Sequence, residues 1–293
     1  MKFDSYHPMI NLIYFAAAIA LTFCFDHPVF VIIAYVSAFA YSVKLNKVRA
    51  LIFNLCLIPF GAGHALWYAY YNHFGVTAIR QNFTGNTITM EATVYGLVIS
   101  FQVIAAIMFM SCVFAIVSSD KVVYLFGRVS PKLSLFLSIL LRTIPRVKKY
   151  AGRINVAQQG IGRGPSQGGL IAKVRNGIRL VSTLITWTLE NFVESSQSMQ
   201  CRGYTLKGRT AFSIYRFDNR DRSFVIMIFL LLTVVMMGWA LNQTNIYYDP
   251  VIIMNPITWA SYVFYGAYAV LLLLPLILQV AGEKKFDKLI KTI

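Results

Sequence analysis

Two arginines set beside glycine are the residues whose type and spacing first suggest chemistry: Gly162-Arg163-Gly164 in "GIGRGPSQGG" and Cys201-Arg202-Gly203 in "SMQCRGY". A guanidinium carries five donors in a fixed fork that bridges the carboxylates or backbone carbonyls of a partner. The plainer reading is a helix end, where the dipole favours a cation and the following glycine supplies a left-handed stop. Two such ends, each closing a long amphipathic helix, favour a contact surface.

Other chemistries find little support. The glycine-rich stretch has no GxxxxGK[ST], does not fit GxGxxG and follows no strand, so it is not a phosphate-binding loop. Cys24, Cys56, Cys112 and Cys201 have no CxxC spacing and read as small apolar packing residues. Only 11 acidic residues occur, with no paired carboxylates, no metal-ligand spacing and no GxSxG nucleophile. The expectation is a protein that is not an enzyme and binds no metal or cofactor directly. His64 in "GAGHALWYAYY" stands inside an apolar run. It reads either as a functional ionisable group or as an imidazole bonded between close-packed helices.

Two long helices must position the arginines. The first begins at Ser130-Pro131, a cap residue followed by a proline suited to a first turn. Leu133, Leu137, Leu140, Leu141, Ile144 and Val147 repeat at helical spacing, while Arg142, Arg146, Lys149 and Arg153 fall on another face. Pro145 predicts a kink near Arg142-Thr143. Five glycines and Pro165 between Gly160 and Gly169 break the helix into a loop. The second helix runs from about Leu170 to about Gln200, with Leu170, Val174, Ile178, Val181, Ile185, Leu189 and Phe192 in one stripe. Its uncharged segment "LVSTLITWTL" suits a helix lying against the underside of a membrane bundle, or one resting at the interface on lipid alone.

The rest of the chain is built for a bilayer. Of 293 residues, 57% are hydrophobic and 13% charged, and mean hydropathy is +0.61, outside the balance of a soluble domain. Apolar runs at Pro8–Phe25, Pro28–Val43, Ala50–Tyr71, Ala92–Val117, Phe224–Leu241 and Ile257–Ala281 approach the ~20 residues of a spanning helix. The first has no cleavage region after it and is expected to stay as a span. The expected fold is therefore all-α and polytopic, with about six transmembrane helices and two long amphipathic helices. It divides into 1–118 with four spans, 119–222 as a helical insert and 223–293 with two spans and a basic tail.

Basic residues set the orientation. With both termini on one side, that side holds every Lys and Arg of the 27 except Arg80, so both termini are expected in the cytoplasm. Topogenesis and anionic headgroups then account for the net charge of +16, and nucleic acid is not an expected partner. The tail "EKKFDKLIKTI" is expected to rest on headgroups. Asn82-Phe83-Thr84 and Asn242-Gln243-Thr244 match the glycosylation sequon on the external side.

The order "SPKLSLFLSILLRTIPRVKKYAGRINVAQQ", a glycine-containing break, then "LIAKVRNGIRLVSTLITWTLENFVESSQSMQCRGY" resembles the transmembrane T component of energy-coupling factor (ECF) transporters, the cobalt-transport permease-like family. The likeness covers Pro131 to Tyr204 well and the six-span frame loosely. It implies two cytoplasmic coupling helices, each ending in an Ala-Arg-Gly-like triplet whose arginine docks in a groove of one of two ABC-type ATPase subunits. It also implies a separate substrate-binding S component in the bilayer, ATP used by the partner subunits, and a bacterial or archaeal plasma membrane. Arg202 fits the second triplet, with Cys201 where alanine is usual and Gly203 after it.

The first triplet departs from the pattern. Counting from Ala157-Gln158, the family's arginine would fall on Ile161, whereas Arg163, between Gly162 and Gly164, comes two residues later. Either the loop is longer here or this site uses apolar contact; Gln158, Ile161 and Tyr204 join the possible interface. The function implied is a coupling subunit for uptake of a micronutrient, a vitamin or a metal ion. The alternative, a self-contained secondary transporter or channel, would call for ionisable residues or broken helices at mid-membrane in two related halves.

Overall fold

The computed structural model describes residues 3–81, 85, 87–204, 206 and 215–291. It is almost entirely helical and divides into two units, Met1–Ser118 with Tyr215–Ile293, and Ser119–Ile214. The first holds α1 (Pro8–Cys24), α2 (Pro28–Tyr71), α3 (Met90–Ile116), α7 (Asn219–Ala240) and α8 (Trp259–Lys291), and the second holds α4 (Ser119–Val129), α5 (Pro131–Gly160) and α6 (Leu170–Cys201). Two short antiparallel hairpins, Ala78–Gln81 with Thr87–Thr89 and Ile246–Tyr247 with Ile253–Met254, join helices of the first unit. The sequon at Asn82-Phe83-Thr84 lies outside the described residues.

α1 and α2 start the same way. His7-Pro8 and His27-Pro28 place a proline in the first turn, and each histidine Nδ1 accepts a backbone N–H, from Met9 and Val29 respectively, at 3.3 Å. Imidazole does here what a serine or aspartate cap does elsewhere.

α2 counts 44 residues but breaks at Lys47, whose φ of 52° and ψ of −128° are not helical. Ser42 Oγ donates to Asn54 Oδ1 at 3.5 Å across this break. Residues twelve apart on one straight helix would sit roughly 18 Å from each other, so the chain folds back at Lys47. The runs Pro28–Val43 and Ala50–Tyr71 are thereby two segments, as the basic residues between them imply. Among the described residues, four helices, α2, α3, α7 and α8 up to Lys285, are long and apolar enough to cross a membrane, and α1 is a shorter apolar helix of 17 residues. The two halves of α2 bring the apolar helical segments to six. α8 carries the expected basic tail as an unbroken continuation to Lys291.

Apolar surface gives helices in lipid no reason to meet, so their contacts rest on close packing and polar bonds. Ala34 and Ala38 of α2, Ala105 and Met108 of α3, and Tyr268 and Leu272 of α8 are fully buried in one core with Tyr14 and Phe15 of α1 and Val235 of α7. Tyr14 Oη donates to the Leu272 carbonyl at 2.8 Å, fastening α1 to α8. The second half of α2 meets α3 where Gly61 faces Ser100 and Ile104 and where Ala65 and Tyr68 face Gly96. At one end of the unit, Gln102 Nε2 donates to the Phe25 carbonyl and the Asp26 carboxylate, and Tyr248 Oη donates to the Asp26 carbonyl at 2.8 Å. The α1–α2 turn is thus held from two sides. Asp221, nearly buried, closes the start of α7 with a capping box and also accepts the His7 N–H.

In the second unit α4 precedes the helix expected at Ser130-Pro131. α4 turns into α5 at Ser130, where Ser134 Oγ donates to the Val123 carbonyl at 3.1 Å. α5 runs unbroken through Pro145. α5 and α6 approach each other at Tyr150 and Trp187, whose ring centroids lie 3.6 Å apart.

Candidate functional site

The site grows from how α5 and α6 end. At α6, Arg202 is the cap residue with φ −83° and ψ 7°, and Gly203 follows with φ +77°. The Gly203 N–H donates to the Gln200 carbonyl at 3.0 Å, and the Tyr204 N–H reaches back to Met199 at 3.2 Å. This pair of bonds is the Schellman arrangement, and its left-handed residue demands glycine.

α5 ends with the same backbone two positions earlier than Arg163 at the cap would require. Ile161 is the cap residue with φ −100° and ψ 14°, and Gly162 follows with φ +74°. The Gly162 N–H donates to the Gln159 carbonyl at 3.1 Å and the Arg163 N–H to the Gln158 carbonyl at 2.9 Å. Position by position, Gly160 corresponds to Cys201, Ile161 to Arg202, Gly162 to Gly203 and Arg163 to Tyr204. The first end therefore reads Gly-Ile-Gly where the second reads Cys-Arg-Gly. Gln158 serves through its carbonyl.

Arg163 takes part in something else. With Arg175, Asn176 and Arg179 of α6 it lines an open cavity of about 870 Å³ at the α5–α6 loop. The loop is fastened: the Gly164 N–H donates to Gln167 Oε1 at 3.0 Å, Asn176 Nδ2 donates to the Gly164 carbonyl at 3.1 Å, and Gln167 Nε2 donates to the Gln159 carbonyl at 3.3 Å. A Cβ on Gly164 would lie 2.5 Å from Gln159 Cγ, so this glycine is a packing requirement. Arg175 and Arg179 lie in the first turns of α6. Their spacing of four puts both on one helix face, and the folded loop adds Arg163 to them.

Both helix ends are open to contact. Arg202 and Cys201 are exposed, Ile161 is 65% exposed and Tyr204 39%. The α6 stripe of Leu170, Val174, Ile178, Val181, Ile185 and Leu189 is exposed along its length, and no residue of α6 is buried. An apolar face of that extent is a binding surface for a membrane or a protein.

His64 has a local role. Its Nδ1 lies 2.9 Å from Ser100 Oγ, and that hydroxyl already donates to the Gly96 carbonyl at 2.6 Å. The imidazole must then donate from Nδ1, tying α2 to α3 where the backbones come closest. Among the described residues, no three His, Cys, Asp or Glu side chains come together as a set able to hold a metal ion. All four cysteines are free, with Cys112 buried and the others exposed.

Apolar helices of spanning length, with an inserted helical unit closed by matched helix ends, define a multi-pass α-helical component of a membrane transport system. The chain belongs to the cobalt transport protein family, CbiQ, whose model matches residues 5–214. The likeness carried by Pro131 to Tyr204 falls within this family, one of transporter membrane components and not an enzyme family. Among curated proteins, the energy-coupling factor transporter transmembrane protein EcfT of Lactococcus lactis subsp. cremoris (strain MG1363) is 28% identical over 110 residues, 37% of this chain. That match spans 41% of the relative's length.

Proposed function

We propose that the chain is the transmembrane coupling subunit, the T component, of an ATP-driven ECF-type importer for a micronutrient, with both termini in the cytoplasm. The α5 and α6 ends seat on two ABC-type ATPase subunits, and the exposed stripe of α6 together with the membrane helices carries a substrate-binding S component. ATP is used by the partner subunits. Closure of the ATPases displaces the helix ends, and the long helices pass that displacement to the membrane unit.

The observation that carries this reading is the repeated Schellman end, which presents one cap side chain from each of two long helices to a partner. A carrier working alone would place ionisable groups along its spans for ion or substrate, and His64 is committed to Ser100. The test is purification of the full chain in mild detergent after co-expression with its neighbouring genes. Two ATPase subunits are expected to co-purify, and Arg202→Ala is expected to lower uptake sharply while the chain still folds. Absence of any ATPase from the wild-type complex would sink the proposal.

A further inference from the structure

Between Lys121 and Leu189 the chain carries twelve Lys and Arg and no Asp or Glu. Three of those cations gather at one place: Arg163, Arg175 and Arg179 line the open cavity of about 870 Å³ at the α5–α6 loop. Asn176 fixes the grouping. Its Nδ2 donates to the Gly164 carbonyl at 3.1 Å, which ties the residue beside Arg175 to the residue beside Arg163, and Arg179 follows Arg175 by one turn of α6. Among the described residues no ion pair answers these guanidiniums, and the first carboxylate along α6, Glu190, stands eleven residues past Arg179, roughly 16 Å up the axis.

Three like charges held around one opening repel each other until an anion shared by all three enters it. A phosphate is the group best matched to them, because its oxygens accept from the guanidinium fork two at a time. The start of α6 at Gly169, on the rim of the same cavity, adds partial charge of the same sign.

A bare phosphate does not account for the rest of the wall. Leu170 and Ile171 line the cavity too, and they are 84% and 88% exposed. Hydrocarbon left that open beside an anion site fits a ligand that carries phosphate and acyl chain in one molecule. A protein surface acidic enough to meet three arginines is polar, and would leave these two side chains in water.

The geometry points to a site at the α5–α6 loop for the headgroup of an anionic phospholipid, with Arg163, Arg175 and Arg179 on the phosphate oxygens and Leu170 and Ile171 against the acyl chains. The site is distinct from the cap positions Ile161 and Arg202, and it stands or falls independently of what seats on them. It gives the inserted helical unit a hold on the bilayer surface that depends on lipid charge.

The test uses the purified full chain in nanodiscs of phosphatidylcholine with a minor share of phosphatidylglycerol. A photo-crosslinking benzoylphenylalanine stands at position 171, or at position 66 on an exposed apolar part of α2 as the control, and mass spectrometry identifies the captured lipid. Phosphatidylglycerol is expected among the adducts at 171 about tenfold above its share of the bilayer, and at its share at 66. Arg163→Gln, Arg175→Gln and Arg179→Gln together are expected to return the adducts at 171 to the bilayer's composition. All three positions are exposed, so the packing of the unit is untouched. Adducts at 171 in proportion to the bilayer, enrichment that survives the triple substitution, or capture of protein without lipid would overturn the proposal. Calorimetry with pyrophosphate in nanodiscs of phosphatidylcholine alone separates the sources of phosphate. No saturable binding is expected there, and binding that the triple substitution removes would assign the arginines to a soluble phosphate and overturn the lipid.

Discussion

Lys44 Nζ lies 2.6 Å from Glu283 Oε2, joining the end of the first half of α2 to the last turns of α8. The two residues are 239 apart in sequence, and their contact puts these two helix ends on one side of the membrane unit. Both side chains are about two-fifths exposed, so the pair is worth about 0.2–1 kcal/mol. Lys44→Glu and Glu283→Lys are each expected to lower the detergent melting temperature slightly, and the double exchange to restore it. Single cysteines at 44 and 283 should be labelled by an impermeant reagent from the same side, the cytoplasmic one. Labelling from opposite sides would contradict the fold.

Lys47 holds a positive φ of 52° with ψ −128°, a region that glycine enters without the clash a Cβ brings. Lys47→Gly is expected to raise thermal stability by about 1 kcal/mol, and Lys47→Val to lower it by at least as much. A thermal unfolding series in one detergent reads both, and destabilisation by glycine would refute the strain argument.

The α2–α3 contact depends on small residues. A Cβ on Gly96 would lie 3.0 Å from the Ala65 carbonyl oxygen and 3.2 Å from the Tyr68 ring, whereas one on Gly63 would meet nothing within 4 Å. Gly96→Val is expected to cost about 1–3 kcal/mol, since backbone on the facing helix cannot yield as a side chain can. Gly63→Ala should be neutral or slightly stabilising through helix propensity. Equal effects at the two positions would mean that the helices do not meet as described.

His27 caps α2 through Nδ1, with Nε2 3.4 Å from Tyr265 Oη, and burial lowers its pKa below the ordinary imidazole value. The unfolded chain therefore binds this proton more readily than the folded one, and stability falls as pH drops below about 6.5 towards the folded value. Protonation also replaces the acceptor of the Val29 N–H with a donor. His27→Asn keeps an acceptor at the cap without titrating, and is expected to flatten the decline in melting temperature between pH 7 and 5. An unchanged slope would assign that decline to other groups.

Much of the frame was legible because it obeys simple periodicities. Ser130-Pro131 marked the start of α5, the stripe from Leu170 gave α6, and the apolar runs gave the membrane segments, with the basic residues around Lys47 separating the halves of α2. What escaped is set by local geometry that composition does not encode. "GIGRG" offers three glycines as stops, and only the Schellman bonds show that Gly162 takes the left-handed turn and leaves Ile161 at the cap. The positive φ fell on a lysine at 47, where propensity favours glycine. The grouping of Arg163 with Arg175 and Arg179 depends on how the loop folds back onto α6.

α6 spans 32 residues between the loop that follows Ile161 and the cap at Arg202, roughly 48 Å along its axis. It thus acts as a ruler and a protractor at once. Each residue added to it would carry Arg202 about 1.5 Å outward and swing it about 100° around the axis, so length and bearing change together. Seven added residues nearly restore the bearing but leave the arginine about 10 Å too far out. The number of residues in this helix is therefore itself a coordinate of its tip, fixed in the sequence as firmly as the arginine it carries.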